Sequence, residues 1–312
     1  MKYIQAKIVI LFVCVFGFSI HTLFSQTDTY TWSNLPLGGG GFVSAVIAHP
    51  KTQNVIYART DVGGAYRWVN VTKTWVPLND WCSIDELGLL GIESLALDPN
   101  NPAKLYMLAG TSYFNNGKTA ILISNDYGAT FTVVDVSNQF KAHGNGMGRQ
   151  TGEKLAVDPK NSNILFCGTR RDGLFKSTNG GTTWSKVTSF PLTTSPNDNG
   201  ITFVQFDTTS VSGGITQRIY VGFSRMGASN FYVSTDAGAT WNAVTGQPTT
   251  YIPQRVARAN NGTMYITYGN GVGPHGHWDP ASETMTEGAV WKYVPTGNVW
   301  TNITPGVASA YG

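Results

Sequence analysis

Apolar residues in this chain come in short bursts separated by glycine, proline, asparagine and aspartate, and almost nowhere at the spacing of a helix. Residues 42–48, 55–59, 65–68 and 74–78 each read as a strand, bounded by turn-forming residues. Four strands joined by tight turns predict an antiparallel meander. In such a meander the first and third turns share one face. The second turn and the crossing to the next unit share the other.

The same unit then returns along the chain. Ser124-Asn125-Asp126-Tyr127-Gly128-Ala129-Thr130-Phe131 recurs as Ser177-Thr178-Asn179-Gly180-Gly181-Thr182-Thr183-Trp184 and as Ser234-Thr235-Asp236-Ala237-Gly238-Ala239-Thr240-Trp241. This is the S-x-D-x-G-x-T-W pattern known as the Asp-box. Worn copies end at Trp75 and Trp300, so the closing aromatics Trp75, Phe131, Trp184, Trp241 and Trp300 stand 56, 53, 57 and 59 residues apart. Four strands in a repeat of this length make one blade of a β-propeller, and the expected fold is all-β with about five four-stranded blades. The motif itself reads as a turn device. Its Asp and Thr bond the turn backbone, Gly supplies a positive φ, and Trp packs beneath.

One face of this scaffold carries short, repetitive turns such as His49-Pro50-Lys51, Asp98-Pro99-Asn100 and Asp158-Pro159-Lys160. The other carries long irregular loops at residues 79–93, 110–119, 141–154, 191–200 and 270–288. Function is expected on the long-loop face.

Composition sharpens this reading at the margins. Only 12 % of the 312 residues are charged, with 36 glycines and 12 % aromatics, which excludes a helical bundle and a disordered chain. Lys2 and Lys7 flank a 13-residue apolar run, 8–20, too short to span a bilayer comfortably. Residues 1–25 are therefore read as a signal peptide and 26–312 as propeller. Export to the extracellular space or periplasm follows. Without the leader, 19 basic residues face 18 acidic ones, so neither nucleic acid nor, after cleavage, a membrane is an expected partner. Cys82 and Cys167 remain; Cys167 lies in a hydrophobic run and reads as a core thiol, and the sequence leaves open whether the two pair. No metal is expected at His143 or at His275-Gly276-His277, and no cofactor, since phosphate loops, Rossmann glycines and nucleophile elbows are absent.

The candidate chemistry sits in Ala58-Arg59-Thr60-Asp61-Val62-Gly63-Gly64-Ala65-Tyr66-Arg67-Trp68, a second-to-third-strand turn on the long-loop face. Asp61 has two readings, a turn aspartate or a catalytic carboxylate. Arg171-Asp172-Gly173 has the same strand–Asp–Gly–strand shape and supports the first. Asp80, Asp85, Glu86, Glu93 and Asp279 read as solvated or turn residues. Among the loop aromatics Trp81, Tyr113, Phe114 and Trp278, the candidates for stacking on a sugar ring are Trp81, Tyr113 and Trp278.

The segments GGGGFVSAVIAHP…VIYARTDVGGAYRW…WVPLNDW (38–81), GEKLAVDP (152–159) and GLFKSTNGGTTWSKVTSFP (173–191) resemble glycoside hydrolase family 74, the xyloglucan-cleaving endo-β-1,4-glucanases. The likeness continues through Ile219-Tyr220-Val221-Gly222, Thr267-Tyr268-Gly269 and Val290-Trp291-Lys292-Tyr293. It implies two seven-bladed propellers with a glucan in the cleft between them, and hydrolysis with inversion. It places the general base on Asp61, expected to be a water-accessible carboxylate receiving backbone donors from its neighbouring glycines, with Gly63 and Gly64 giving the polysaccharide room to approach. The general acid would belong to a second propeller, so the chain is expected to be the N-terminal part of a longer enzyme, inactive alone. The alternative is a non-catalytic, five-bladed carbohydrate- or protein-binding propeller. A sialidase would need an arginine cluster, for which Arg170-Arg171 is weak support.

Overall fold

A computed structural model of the chain describes residues 40–273 and 285–306. The leader read at 1–25 lies outside them, as do Trp278, Asp279, His275 and His277.

Five antiparallel sheets of four strands follow one another along the chain. The first contains β1 (Val43–Ala48), β2 (Ile56–Thr60), β3 (Ala65–Val69) and β4 (Thr74–Pro77). The second contains β5 (Ile92–Leu97), β6 (Leu105–Gly110), β7 (Thr119–Ser124) and β8 (Thr132–Asp135). The third contains β9 (Leu155–Asp158), β10 (Asn161–Gly168), β11 (Leu174–Ser177) and β12 (Ser185–Lys186). In the fourth, a small hairpin, β14 (Val211–Ser212) and β15 (Ile215–Thr216), interrupts the meander of β13 (Ile201–Phe206), β16 (Ile219–Phe223), β17 (Phe231–Ser234) and β18 (Asn242–Ala243). The fifth contains β19 (Ile252–Arg258), β20 (Met264–Gly269), β21 (Gly288–Val294) and β22 (Val299–Asn302). The sheets stand as blades in a ring, a β-propeller.

The second, third and fourth blades lie between neighbours, and burial there follows: the inner strands of the second are buried throughout, whereas β20 of the fifth alternates buried and exposed positions. All six residues of β5, of β6 and of β7 are buried. Four of the five core clusters among the described residues are shared by two blades, and the fifth, of Ala58, Tyr66 and Trp75, lies within the first. Leu95, Leu105 and Leu122 pack under Tyr57 and Leu78 of the first blade, and Phe166 of the third packs with Phe206 and Trp241 of the fourth.

The turns between third and fourth strands lock these interfaces. Ser234 donates to Asp236 Oδ1 (2.8 Å), Asp236 accepts from the Thr240 N–H (2.8 Å) and hydroxyl (2.6 Å), and Gly238 N–H donates to Ser234 Oγ (2.8 Å). Trp241 donates its indole N–H to Gly238 O (3.2 Å) and lies edge-on to Phe166 and Phe190. The third blade uses Asn179 in the same place, accepting from Thr183 N–H at 2.9 Å.

A second repeat feature shapes the long-loop end. The innermost strands of four blades carry a bulge near their start, leaving Ser44, Glu93, Thr202 and Gln254 unpaired in the ladder. A bulge re-aims the extra side chain, and here polar groups are delivered to the axis at the end where the long loops begin.

Two neighbouring residues of the fourth blade test the turn. Gly238 has φ +90°, and a Cβ there would meet the Phe166 ring at 2.6 Å. Ala237 has φ +56°, where the third blade has Gly180 at φ +69°. Gly238→Ala should lower stability by more than about 1 kcal/mol, and Ala237→Gly should leave it unchanged or raise it by up to about 1 kcal/mol. Thermal melts of the two variants check this; equal effects would contradict the assignment.

Candidate functional site

β2 ends at Thr60, and the turn to β3 is closed by threonine, not by aspartate. Thr60 N–H (3.0 Å) and Oγ1–H (2.8 Å) both donate to Gly64 O, and Gly63 N–H donates to Thr60 Oγ1 (2.8 Å). The third blade repeats these three bonds. Thr169 N–H (3.0 Å) and Oγ1–H (2.7 Å) donate to Gly173 O, and Asp172 N–H donates to Thr169 Oγ1 (3.0 Å). Bond for bond, Asp172 stands where Gly63 does, and the counterpart of Asp61 is Arg170. The comparison of Asp61 with Asp172, natural in the sequence, is therefore displaced by two residues. The turn does not require Asp61.

What the Asp61 carboxylate does bond lies elsewhere. Oδ1 accepts from Phe42 N–H (2.7 Å), while Asp61 N–H donates to Phe42 O (3.2 Å). Oδ2 faces Arg149 Nε at 3.4 Å. The residue is 5 % exposed. The expected glycine donors are not used, since Gly63 N–H goes to Thr60 and Gly64 N–H to Leu90 O (2.8 Å). These glycines also answer to crowding by their own chain. A Cβ on Gly63 would lie 1.9 Å from Gly40 O, and one on Gly64 2.8 Å from Asn79, so both are small because their own chain crowds them.

Arg149 belongs to the loop between β8 and β9, which lies over the axis with its carbonyls bonded to three guanidinium groups. Arg59 donates to Arg149 O (3.0 Å) and Thr151 O (2.8 Å). Arg170 donates to Met147 O (2.8 Å) and His143 O (3.0 Å). Arg255 donates to Gln150 O (2.7 Å) and, joining the fifth blade to the first, to Ser44 O (2.6 Å). Arg59 is fully buried and pairs with Glu153 at 3.0 Å.

Glu93 is the second charge centre. Expected as a solvated or turn carboxylate, it is 2 % exposed. Its Oε1 lies 2.7 Å from both Lys154 Nζ and Arg170 Nε, and Oε2 accepts from His143 N–H (2.7 Å). Burial alone would raise its pKa, but Arg170, then Lys154 and the His143 N–H, hold it down at about 2. Such a carboxylate stays ionised at neutral pH and cannot serve as an acid there.

Two hollows open beside these residues. One of about 250 Å³ is lined by Val62, Leu87, Gly91, Thr111, Tyr113 and Phe114. The other, about 470 Å³, is bordered by Ser112, Lys141, His143, Arg170, Asp172 and Asn197, among others. Tyr113 lies edge-on to His143 (5.4 Å), between the two. Thr111 and Tyr113 line the smaller and Ser112 between them lines the larger, so the two adjoin along a groove whose first-blade end is lined by Val62, next to the buried Asp61.

No protein-family model matches the chain, but relatives and solved structures do. It is 41 % identical over 296 residues to a xyloglucanase of a Paenibacillus species, a match covering 90 % of this chain and 28 % of that protein. It is 42 % identical to a xyloglucanase of Hypocrea jecorina, covering 88 % and 34 %. The solved family 74 enzyme of Niastella koreensis superimposes with a TM-score of 0.81 at 52 % identity over 88 % of this chain and 39 % of that one. The chain belongs to glycoside hydrolase family 74. It spans about a third of the length of the curated relatives it matches.

On this family 74 scaffold Tyr113 lines the smaller hollow beside Val62, and Asp61 lies behind Val62 rather than among the lining residues. Trp81, 39 % exposed, is turned to Phe131 at 6.2 Å and is not among the groove-lining residues. Trp278 lies outside the described residues. Both Cys82 and Cys167 are free thiols, Cys167 buried as read. Sequence reasoning passed over Arg59, Arg149, Glu93 and Asn145. A signal existed for the first: Arg59 interrupts a buried strand with a charge, and a strand arginine with no local partner demands a distant one.

Glu93→Gln leaves Lys154 and Arg170 without their counter-charge and should cost about 3–5 kcal/mol at pH 7. The folded-state pKa of Glu93 lies below its ordinary 4.5. Its contribution is therefore full above pH 4.5 and is lost as pH falls toward 2. The stability gap between wild type and variant, measured by denaturant melts, should narrow over that range. A gap independent of pH would exclude the ion cluster as its origin.

Proposed function

We propose that this chain is the N-terminal propeller portion of a longer, exported xyloglucanase that cleaves the β-1,4-glucan backbone with inversion, with Asp61 as general base. The observation that carries this reading is the freedom of Asp61 from its turn. The same turn closes in the third blade with Arg170 in that place, so the carboxylate is not there to shape the backbone. It is held instead by one N–H and one guanidinium at the end of a groove.

Inversion requires a second, protonated carboxyl about 6.5–9.5 Å from the base, leaving room for the attacking water. Among the described carboxylates near the groove, Glu93 is committed to two buried cations, Glu86 to its own 3-10 turn and Lys118 at 3.7 Å, and Asp198 to Arg171 at 2.7 Å, while Asp172 lines the larger hollow. The acid is assigned to a second propeller across the cleft, as the resemblance to family 74 implies. Tyr113, 57 % exposed, supplies an apolar face for a sugar ring. The relatives' names divide between xyloglucanases and an oligoxyloglucan-reducing-end-specific xyloglucanase of Emericella nidulans. The reading proposed for this chain is the endo-acting one.

One observation favours the non-catalytic alternative, a carbohydrate- or protein-binding propeller: a carboxylate only 5 % exposed meets little water. Substitution separates the two. Asp61→Asn keeps an acceptor for Phe42 N–H but cannot take a proton from water. In the enzyme carrying both propellers it should reduce xyloglucan hydrolysis by at least about 10²–10⁴-fold with little change in melting temperature. Asp61→Ala also strips a partner from a buried N–H and from Arg149, and should cost about 1–3 kcal/mol more in stability. Activity of Asp61→Asn within a few-fold of wild type would return Asp61 to a structural role.

A further inference from the structure

We infer that Arg149 is the positioning residue for the base, and that it carries the geometry of the axial loop to the Asp61 carboxylate. The inference rests on the assignment of Asp61 as general base. Four observations on different sides of Arg149 support it.

Its guanidinium stands 3.4 Å from Asp61 Oδ2, on the opposite oxygen from the Phe42 N–H, so the two carboxylate oxygens have separate, fixed partners. The hydrogen bond to Oδ1 fixes one oxygen and the ion pair facing Oδ2 biases the other, so the carboxylate has a preferred direction. The guanidinium also lies 5.0 Å from the Phe42 ring centroid, so the residue whose N–H holds one oxygen also supports, through its ring, the cation facing the other. Asn145 Oδ1 accepts from Arg149 Nη1 (3.4 Å), while its Nδ2–H donates to Tyr113 Oη (2.5 Å). The backbone of Arg149 is fixed as well, because its own carbonyl accepts from the fully buried Arg59.

The result is a continuous path from Arg59 through Arg149 to Asp61, with a branch through Asn145 to Tyr113. Arg149 has no contact with the reacting atoms in this arrangement. It acts on the base by fixing which way the carboxylate faces. Arginine suits this position because its planar fork meets Asp61 and Asn145 from different nitrogens while its face lies against a ring. Lysine, a single point charge on a flexible stem, cannot meet all three. Tyr113 is the partner that a sugar would touch, so filling the groove and orienting the base are mechanically joined.

The test compares Arg149→Lys and Arg149→Met with wild type in the enzyme carrying both propellers, with Asp61→Asn run in parallel. A misdirected base slows the chemical step without loosening the substrate. The kcat for xyloglucan should fall by about 10²-fold in Arg149→Met and by roughly five- to tenfold in Arg149→Lys, while KM stays within about threefold in both. That ordering, with the loss in kcat and the lysine variant in between, supports the inference. Three results would overturn it: kcat within about threefold of wild type in the methionine variant, wild-type kcat in the lysine variant, or a loss expressed in KM. Should the methionine variant not fold, the lysine variant alone still decides by whether its kcat is reduced at constant KM. If Asp61→Asn is itself active, the base assignment has failed, and that outcome is distinct from an inactive Asp61→Asn beside fully active Arg149 variants.

Discussion

The long-loop face of this propeller depends on a guanidinium that no water reaches. Arg59 leaves β2 for the axis, where it pairs with Glu153 and donates to the carbonyls of Arg149 and Thr151. A buried cation with a missing partner costs several kcal/mol, so the arrangement is nearly all-or-none. The β8–β9 loop cannot leave without stranding Arg59, Arg170 and Arg255 together. A loop that would be free on most scaffolds is thereby held as firmly as a strand, and what it carries inherits that rigidity. It carries Arg149, and through Arg149 it reaches Asp61.

Repetition explains how a single candidate base can arise in a structure built of similar units. The turn between second and third strands is closed by a threonine hydroxyl and a terminal glycine in both the first and third blades. Those residues satisfy the backbone, and the position after threonine is left without a structural duty. In the first blade it holds Asp61 and in the third Arg170. The two charges then enter separate networks on either side of the axial loop, Asp61 with Arg149 and Arg170 with Glu93. The bulge near the start of the inner strands works similarly: one backbone irregularity, used four times, delivers Ser44, Glu93, Thr202 and Gln254. The fold repeats its backbone and varies the groups it presents.

Burial reorders the roles that exposed chemistry would assign. Glu93 sits on a long loop in the sequence, yet in the structure its charge is spent on Lys154 and Arg170 and on the N–H of His143. Gly63 and Gly64 border the candidate base, yet they answer to Gly40 and Asn79. Trp81 has the exposure of a sugar platform, but its ring turns to Phe131. Tyr113 alone among the described candidates joins exposure to a contact path leading to Asp61.

The sequence by itself determined the blades. Strand length, turn composition and the return of an aromatic every 53 to 59 residues are local properties, and the four strands of the first blade emerged within a residue or two of their reading. It also determined which face carries long loops and that Asp61 lies on it, because both follow from the parity of turns in a meander. Only the tertiary structure decided what surrounds Asp61. Arg149 lies 88 residues away along the chain and Phe42 19 residues before it. The pairing of Glu93 with Lys154 and Arg170 likewise spans two blades. Local pattern fixes hydrogen bonds between neighbours in sequence. Charges, once buried, must find partners wherever the ring brings them, and that choice is made in three dimensions.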